Sequence, residues 1–383
     1  MDYSIIRLFD YLILMLLSSL SLQNFRNYST AQFSFASGTT ILVGPNTAGK
    51  TNLLDSIHLL STGKSFLSDK EEELVRFGEE FGRIKGTVVE MTNDQLQMAN
   101  DEEETVLEIL LTVDSAMQKA GKRYFVNGVA RRRTDFALPY VPTLLFTPLH
   151  LSIINGSPNQ RRNFLDEVLE QVDREYARSM NMYVKALRQR NALLETAKES
   201  GYRNDKQFQY WDELLITTGT YIHDQRQIFI DFMNAQPQHI FPIHTIYDHS
   251  VISEERLEKY KDAEMGACVT LVGPHRDDIQ IELRIMNQEL RDAKVFASRG
   301  QQRLIVLQLK LLQLKYMQNN LDATPLLLLD DIFSELDSSH IQLVSEMAGG
   351  SRSQQTIITT THEEFIQGKF KEKAKVIELK GNY

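Results

Sequence analysis

The sequence predicts an α/β fold with mixed sheets, divided near its middle by a short inserted lobe of helices. Three observations predict it. Alternating or apolar runs at 20–43 (LSLQNF, AQFSF, TTILV) lead into a glycine-rich loop and then into NLLDSIHLL, whose apolar residues recur at helical spacing. From about residue 159 to 235 the pattern changes to long, polar-faced helices. Strand patterns then return, ending in the apolar run Leu326–Leu329 and in TIITTTH at 356–362.

In chain order, Leu53, Leu54, Ile57 and Leu60 mark the first helix and Gly63 its stop. Segments 81–90, 104–114 and 122–129 have the look of antiparallel strands, the second preceded by an acidic, turn-prone patch at Asn100–Glu103. VPTLLF at 141–146 is a further strand, before a loop holding Pro148 and Pro158. Segments 175–197 and 207–233 are helices joined by a loop at Gly201–Asp205, the pattern of a helical hairpin. Met180, Tyr183, Leu187 and Leu194 are spaced to pack that hairpin against itself. Gln236–Pro242 ends it, and strands are expected at ACVTLVG (267–273) and IQIELRI (279–285). A helix over about 301–317, the strand LLLLDD and the last strand complete the chain. The expected divisions are 15–158, 159–265 for the helical arm, and 266–383, with the helices inserted between two halves of one α/β unit.

Length and composition fit this reading. A chain of 383 residues can form one large or two medium domains, and 42% hydrophobic with 24% charged residues is ordinary for a soluble protein. Cys268 is the single cysteine, which excludes an internal disulfide framework and a Cys/His zinc cluster and fits a reducing cytoplasm. A small buried thiol beside a strand is the expected role for it. The formal net charge of -9 excludes a uniformly basic surface, so any polyanion must be met by local clusters. Candidates are Lys122–Arg123, Arg131–Arg133, Arg161–Arg162, and Lys185 with Arg188 and Arg190; a solvated face is the alternative for each. The apolar run Tyr11–Leu20 is too short to span a bilayer, and the residues before it, with Asp2, Arg7 and Asp10, lack a basic leader. A soluble cytoplasmic protein without a membrane partner is expected.

The chemistry concentrates in three places. Gly44-Pro45-Asn46-Thr47-Ala48-Gly49-Lys50-Thr51 matches G-x-x-x-x-G-K-[ST] between a strand and a helix. Glycines let backbone N–H groups face a β-phosphate, and the helix behind them presents its positive end. Lys50 is placed to bridge β- and γ-phosphates and Thr51 to coordinate Mg²⁺, so ATP with Mg²⁺ is the expected cofactor pair. Second, a buried parallel strand at Leu326–Leu329 would deliver Asp330 and Asp331 to its C-terminal edge, Asp330 to Mg²⁺ and Asp331 as general base toward the attacking water. Third, Ala297-Ser298-Arg299-Gly300-Gln301 precedes a long helix and resembles the L-S-G-G-Q signature of ABC ATPases, with Arg299 in place of a glycine. In that superfamily the segment caps the γ-phosphate bound by the opposite subunit, a task suited to the Ser298 hydroxyl, the Gly300 backbone and Gln301 at a helix N-terminus. By the same resemblance Ser334–Asp337 corresponds to the loop crossing the dimer interface, and His362 to the residue sensing the γ-phosphate, a surface histidine being the alternative for it.

Longer stretches extend the resemblance. LSLQNFRNY (20–28), GPNTAGKTNLLDSI (44–57), LLFTPLHLSIINGSPNQRRNFLD (144–166), TLVGPHRDDI (270–279), FASRGQQRLIVLQLKL (296–311) and PLLLLDDIFSELD (325–337) together resemble the RecF family of SMC-like ABC-type ATPases along nearly the whole chain. The resemblance implies an ABC-type ATPase head with a short helical lobe and a weak, DNA-stimulated ATPase. It further implies an ATP-dependent homodimer, binding to duplex and gap-junction DNA, and recombinase loading with RecO and RecR type proteins. Two departures stand out. The glutamine that SMC-like relatives offer to Mg²⁺ corresponds here to Thr147, and the family's opening strand corresponds to a start at Met15, which makes residues 1–14 an extension the fold is expected to do without.

Two other readings share this nucleotide chemistry. An ABC transporter subunit would lack NFRNY and GPHRDD and need a membrane partner. An SMC-type structural ATPase needs a coiled coil of hundreds of residues, whereas a helix of about 30 residues reaches only about 45 Å.

Overall fold

The computed structural model describes residues 14–91, 104–114, 119–137, 140–238, 240–284, 289–332, 354–361 and 374–381. They form two packed units, Met1–Pro148 with Met317–Tyr383, and Leu149–Tyr316. The segments 159–265 and 266–316, separate in the sequence-based division, fall within the second unit.

The first unit opens with β1 (Leu14–Phe25), which begins one residue ahead of Met15 and pairs Leu14–Leu17 with Val88–Met91. It continues through β2 (Tyr28–Ser34), β3 (Thr39–Val43), α1 (Lys50–Thr62), β4 (Phe81–Met91), β5 (Glu104–Asp114), β6 (Lys119–Val126), β7 (Val129–Arg131), α2 (Arg133–Ala137) and β8 (Thr143–Phe146). β2-β1-β4-β5-β6-β7 is an antiparallel sheet of six strands. The stretch 122–129, expected as one strand, turns back on itself at Asn127-Gly128, whose φ values of 49 and 77 are those of the tight hairpin turn that Asn-Gly favours.

The second unit holds α3 (Ser152–Asn155), α4 (Pro158–Val172), α5 (Arg174–Ser200), α6 (Asp205–Ala235), β9 (Ile243–Asp248), α7 (Glu254–Ala267), β10 (Asp278–Arg284), β11 (Leu290–Asp292), α8 (Ala293–Phe296) and most of α9 (Arg299–Asn320). α5 and α6 are the expected hairpin. Asp173 caps α5 by accepting from the Glu175 N–H at 2.8 Å, and Gly201, in the left-handed region at φ 67, ends it. β11-β10-β9 is a small antiparallel sheet.

After α9 the chain returns to the first unit with β12 (Leu326–Asp330), β13 (Thr356–Thr360) and β14 (Lys375–Glu378). The sheet β14-β3-β13-β12-β8 is parallel throughout, and every residue of β12 and β13 is buried, as strands covered on both faces require. α1 packs against strands of both this sheet and the antiparallel one. That position explains why it buries residues on all sides, Leu53, Leu54, Ile57, Leu59 and Leu60 each at 2% exposure or less. Each such side chain contributes roughly 2 kcal/mol relative to exposure.

One expected strand is absent. Residues 268–273 follow α7 without joining a sheet. Three of their backbone N–H groups donate to side chains instead: Thr270 to Asn191 Oδ1 (2.9 Å), Leu271 to Glu264 Oε1 (2.9 Å) and Gly273 to Ser250 Oγ (3.2 Å). Cys268 is accordingly not beside a strand; it is half-buried and ends α7 in the left-handed conformation, φ 57.

Candidate phosphate-binding site

β3 runs straight into the loop 44–51 and α1 starts at Lys50, so the glycine-rich motif sits between strand and helix as its spacing predicts. Pro45, Asn46 and Thr47 are exposed, whereas Gly44, Ala48, Gly49 and Lys50 are buried. The loop takes two left-handed residues, Thr47 at φ 74 and Gly49 at φ 90. Such backbone concavities gather N–H groups around an anion, and for a threonine the conformation costs on the order of 1–3 kcal/mol. Gly49 is required twice over. Besides its φ, a Cβ there would lie 2.5 Å from Asn27 Nδ2 and 2.8 Å from the Tyr28 hydroxyl, which donates to the Gly49 carbonyl at 3.0 Å. The first turn of α1 carries no acidic residue of its own to oppose its positive end.

The Lys50 ammonium donates to the carbonyls of Gly44 (2.7 Å) and Pro45 (2.9 Å), which uses two of its three donors and holds it over the loop. Burial lowers its pKa, against the opposing pull of Asp331 and Asp330. The Thr51 hydroxyl lies 3.1 Å from each carboxylate oxygen of Asp330, although the two residues are 279 positions apart. Asp330 is buried at 4% exposure, and that burial raises its pKa despite hydrogen bonds from Thr359 and Thr51. A hydroxyl beside a buried carboxylate is an all-oxygen pair of the kind Mg²⁺ takes from protein, the rest of its shell coming from waters and phosphate oxygens. Thr51 and Asp330 therefore fit that ion. Asp331 follows at φ 48, a left-handed residue directly after the strand, with its N–H donating to Thr359 Oγ1 at 2.9 Å. β8 lies beside β12 with Phe146 opposite Leu329, so Thr147 comes next along the edge that carries Asp330.

In the second unit Ser298 and Gln301 form a reciprocal cap. The Ser298 N–H donates to Gln301 Oε1 (2.8 Å), and the Gln301 N–H donates to Ser298 Oγ (3.3 Å). Ser298, Arg299 and Gly300 are exposed, and a Cβ on Gly300 would meet nothing, so its own surroundings do not demand a glycine there. His362 and Ser334–Asp337 lie outside the described residues.

One of the four basic clusters is structural and a second is so in part. Arg161 forms a two-pronged pair with Asp278 (2.6 and 2.9 Å), and Arg162 donates to the Asp277 carbonyl (2.7 Å). Arg190 is fully buried and meets Asp212 (2.6 Å), Glu264 (2.7 Å) and Thr270 Oγ1 (2.9 Å), so only Lys185 and Arg188 of its cluster are exposed. Arg123, Arg131 and Arg132 are exposed and share the β6–β7 hairpin, where Tyr124 stands opposite Arg131. Motif spacing alone did not single out Asn27, Tyr28 or Thr359. The first two precede the loop by some twenty positions inside NFRNY, and Thr359 is one of a run of threonines whose individual directions a sequence does not separate.

A parallel sheet that ends one strand in this loop and another in two carboxylates makes the chain a phosphate-loop nucleotide-binding head. The family model for the RecF/RecN/SMC N terminal domain matches residues 16–381. The DNA replication and repair protein RecF of Cyanothece sp. is 33% identical, over 96% of this chain and 97% of that protein. That of Gloeobacter violaceus is 33% identical over 95% and 97%. Two solved structures of the recombination mediator protein RecF in the RecFOR pathway are similar throughout. The one with ATP has a TM-score of 0.80 at 28% identity, covering 95% of this chain and 96% of that one. The one with ATPrS has 0.78 at 30%, covering 93% and 95%. The chain belongs to the RecF family, and its role lies in DNA replication and repair. Among the described residues no helix is long and apolar enough to cross a membrane.

Proposed function

We propose that this chain is an ATP-dependent, DNA-binding recombination mediator of the cytoplasm. It holds ATP with Mg²⁺ in the loop 44–51, dimerises when ATP is bound, and hydrolyses it slowly under stimulation by DNA. It acts at single-strand gaps with RecO and RecR type partners to help load recombinase. The observation that carries the reading is the meeting of Thr51 with Asp330 at 3.1 Å beside the Lys50 ammonium. The ATP-bound RecF structures support the choice of nucleotide.

In this reading the backbone around Thr47 and Gly49 holds the β-phosphate, and the remaining Lys50 donor reaches the γ-phosphate. Thr51 and Asp330 hold Mg²⁺, which supplies positive charge against the charge developing on the phosphoryl oxygens. Asp331 accepts the proton of the attacking water, and His362 contacts the γ-phosphate. Ser298, Gly300 and Gln301 face the γ-phosphate bound by a second copy. The Ser298 hydroxyl only accepts within its cap, which leaves its proton to donate, and the open space at Gly300 lets that phosphate approach the backbone. Arg123, Arg131 and Arg132 meet the DNA backbone, a local contact compatible with the chain's net charge of -9.

Titration with ATP tests the site. Lys50→Ala lowers affinity by at least about tenfold, because hydrogen bonds to a charged group are worth roughly 1.5–3 kcal/mol. Unchanged affinity overturns the phosphate-loop assignment.

A further inference from the structure

We propose that Thr359 is a positioning residue that sets the geometry of both carboxylates at the end of β12, an inference that rests on the ATP and Mg²⁺ reading of that site. Thr359 is fully buried on β13, opposite Asp330 on one side and Leu42 of β3 on the other. Its hydroxyl makes two bonds in opposite senses. It donates to Asp330 Oδ1 at 2.8 Å and accepts from the Asp331 N–H at 2.9 Å. A threonine hydroxyl has one proton and lone pairs to spare, so one oxygen can serve both neighbours at once.

Each bond answers a specific need. A carboxylate at the end of a strand turns freely about its last torsion unless something fixes its plane. Thr51 contacts both Asp330 oxygens and so leaves the plane undecided between them, whereas Thr359 contacts Oδ1 alone. A Thr51 hydroxyl that offers a lone pair to a cation keeps its one proton, which either Asp330 oxygen could accept. The Thr359 bond settles that choice by engaging Oδ1 from the neighbouring strand, independently of Thr51. The second bond acts on Asp331, whose φ of 48 is a conformation a non-glycine residue keeps only when its surroundings impose it. Anchoring its N–H from the neighbouring strand fixes that turn, and with it the direction in which the Asp331 side chain leaves the sheet. A valine would fill the same volume, yet supply neither bond.

The test compares Thr359→Val with Thr359→Ser in the full-length chain, using a fluorescent ATP analogue titrated in EDTA and across a Mg²⁺ series, with steady-state hydrolysis alongside. Thr359→Val keeps nucleotide affinity in EDTA. It raises the Mg²⁺ concentration needed for half-maximal tightening on the order of tenfold and lowers kcat by about the same factor, with KM for ATP little changed, as expected when the group that orients a metal ligand is removed. Thr359→Ser restores both. Should Thr359→Val fail to fold, Thr359→Cys, similar in size and a weak donor, takes its place and must show the same Mg²⁺ shift in smaller measure. A folded Val or Cys variant with wild-type Mg²⁺ dependence, or a Ser variant as impaired as Val, overturns the assignment of Thr359. A wild-type chain that binds no nucleotide at all removes the site reading itself, which is a separate result.

Discussion

At the scale of single residues, each unit has a buried carboxylate that gathers several partners. In the first unit it is Asp330. In the second it is Asp277 in GPHRDD, fully buried, which accepts from Arg226 Nη1 (2.8 Å), the Tyr247 hydroxyl (2.5 Å) and the Ser250 N–H (2.8 Å) and faces His223 Nε2 (3.1 Å). Burial alone would raise the Asp277 pKa; the bonds with His223, Arg226 and Tyr247 outweigh it and hold the carboxyl below its usual value. Arg226 in turn binds Asp166 of α4, so one arginine and two aspartates tie together α4, α6 and the segment before β10. The motif is therefore architectural. Asp277→Asn removes one of the two carboxylates paired with the buried Arg226 and should cost about 1.5–3 kcal/mol, read as a lower urea midpoint with the slope unchanged. A midpoint within error of wild type would show that the network re-pairs without this carboxylate.

At the scale of elements, the β6–β7 hairpin concentrates exposed basic charge on one edge of the antiparallel sheet. Arg131→Glu with Arg132→Glu should weaken duplex DNA binding and flatten its dependence on salt, by roughly 0.9 in log–log slope for each phosphate left unneutralised. The same reversal at Lys185 and Arg188 provides the comparison, and equal effects would assign the DNA contact elsewhere or to both faces. Which elements the sequence revealed follows from their packing. α1, β12 and α9 were legible because burial imposes a strong apolar period or an unbroken apolar run. α7 buries only Leu257 and Glu264, so no period marks it, and β14 is an edge strand with no buried residue of its own. The stretch 267–273 carries a strand's composition, but three of its N–H groups, those of Thr270, Leu271 and Gly273, donate to side chains. The hairpin turn was legible in Asn127-Gly128, a pair whose meaning a longer apolar run obscured. In the site, the loop and the paired acids followed from spacing. Thr359 and the Asn27–Tyr28 contact with Gly49 depend on strands meeting across hundreds of positions.

At the scale of the whole molecule, Lys50 and Ser298 belong to different packed units, and in the proposed mechanism they serve different nucleotides, Ser298 completing the site of a second copy. That makes association the step at which ATP acts. Sedimentation velocity in Mg²⁺ with and without ATP reads it directly, on wild type, Asp331→Asn and Ser298→Arg. Wild type should pass from monomer to dimer when ATP is added, and Asp331→Asn should remain dimeric because it binds ATP without cleaving it. Ser298→Arg should stay monomeric while still binding ATP, since only the face offered to the partner is blocked. A wild-type chain whose sedimentation ignores ATP, or a Ser298→Arg chain that dimerises as wild type does, would contradict the account.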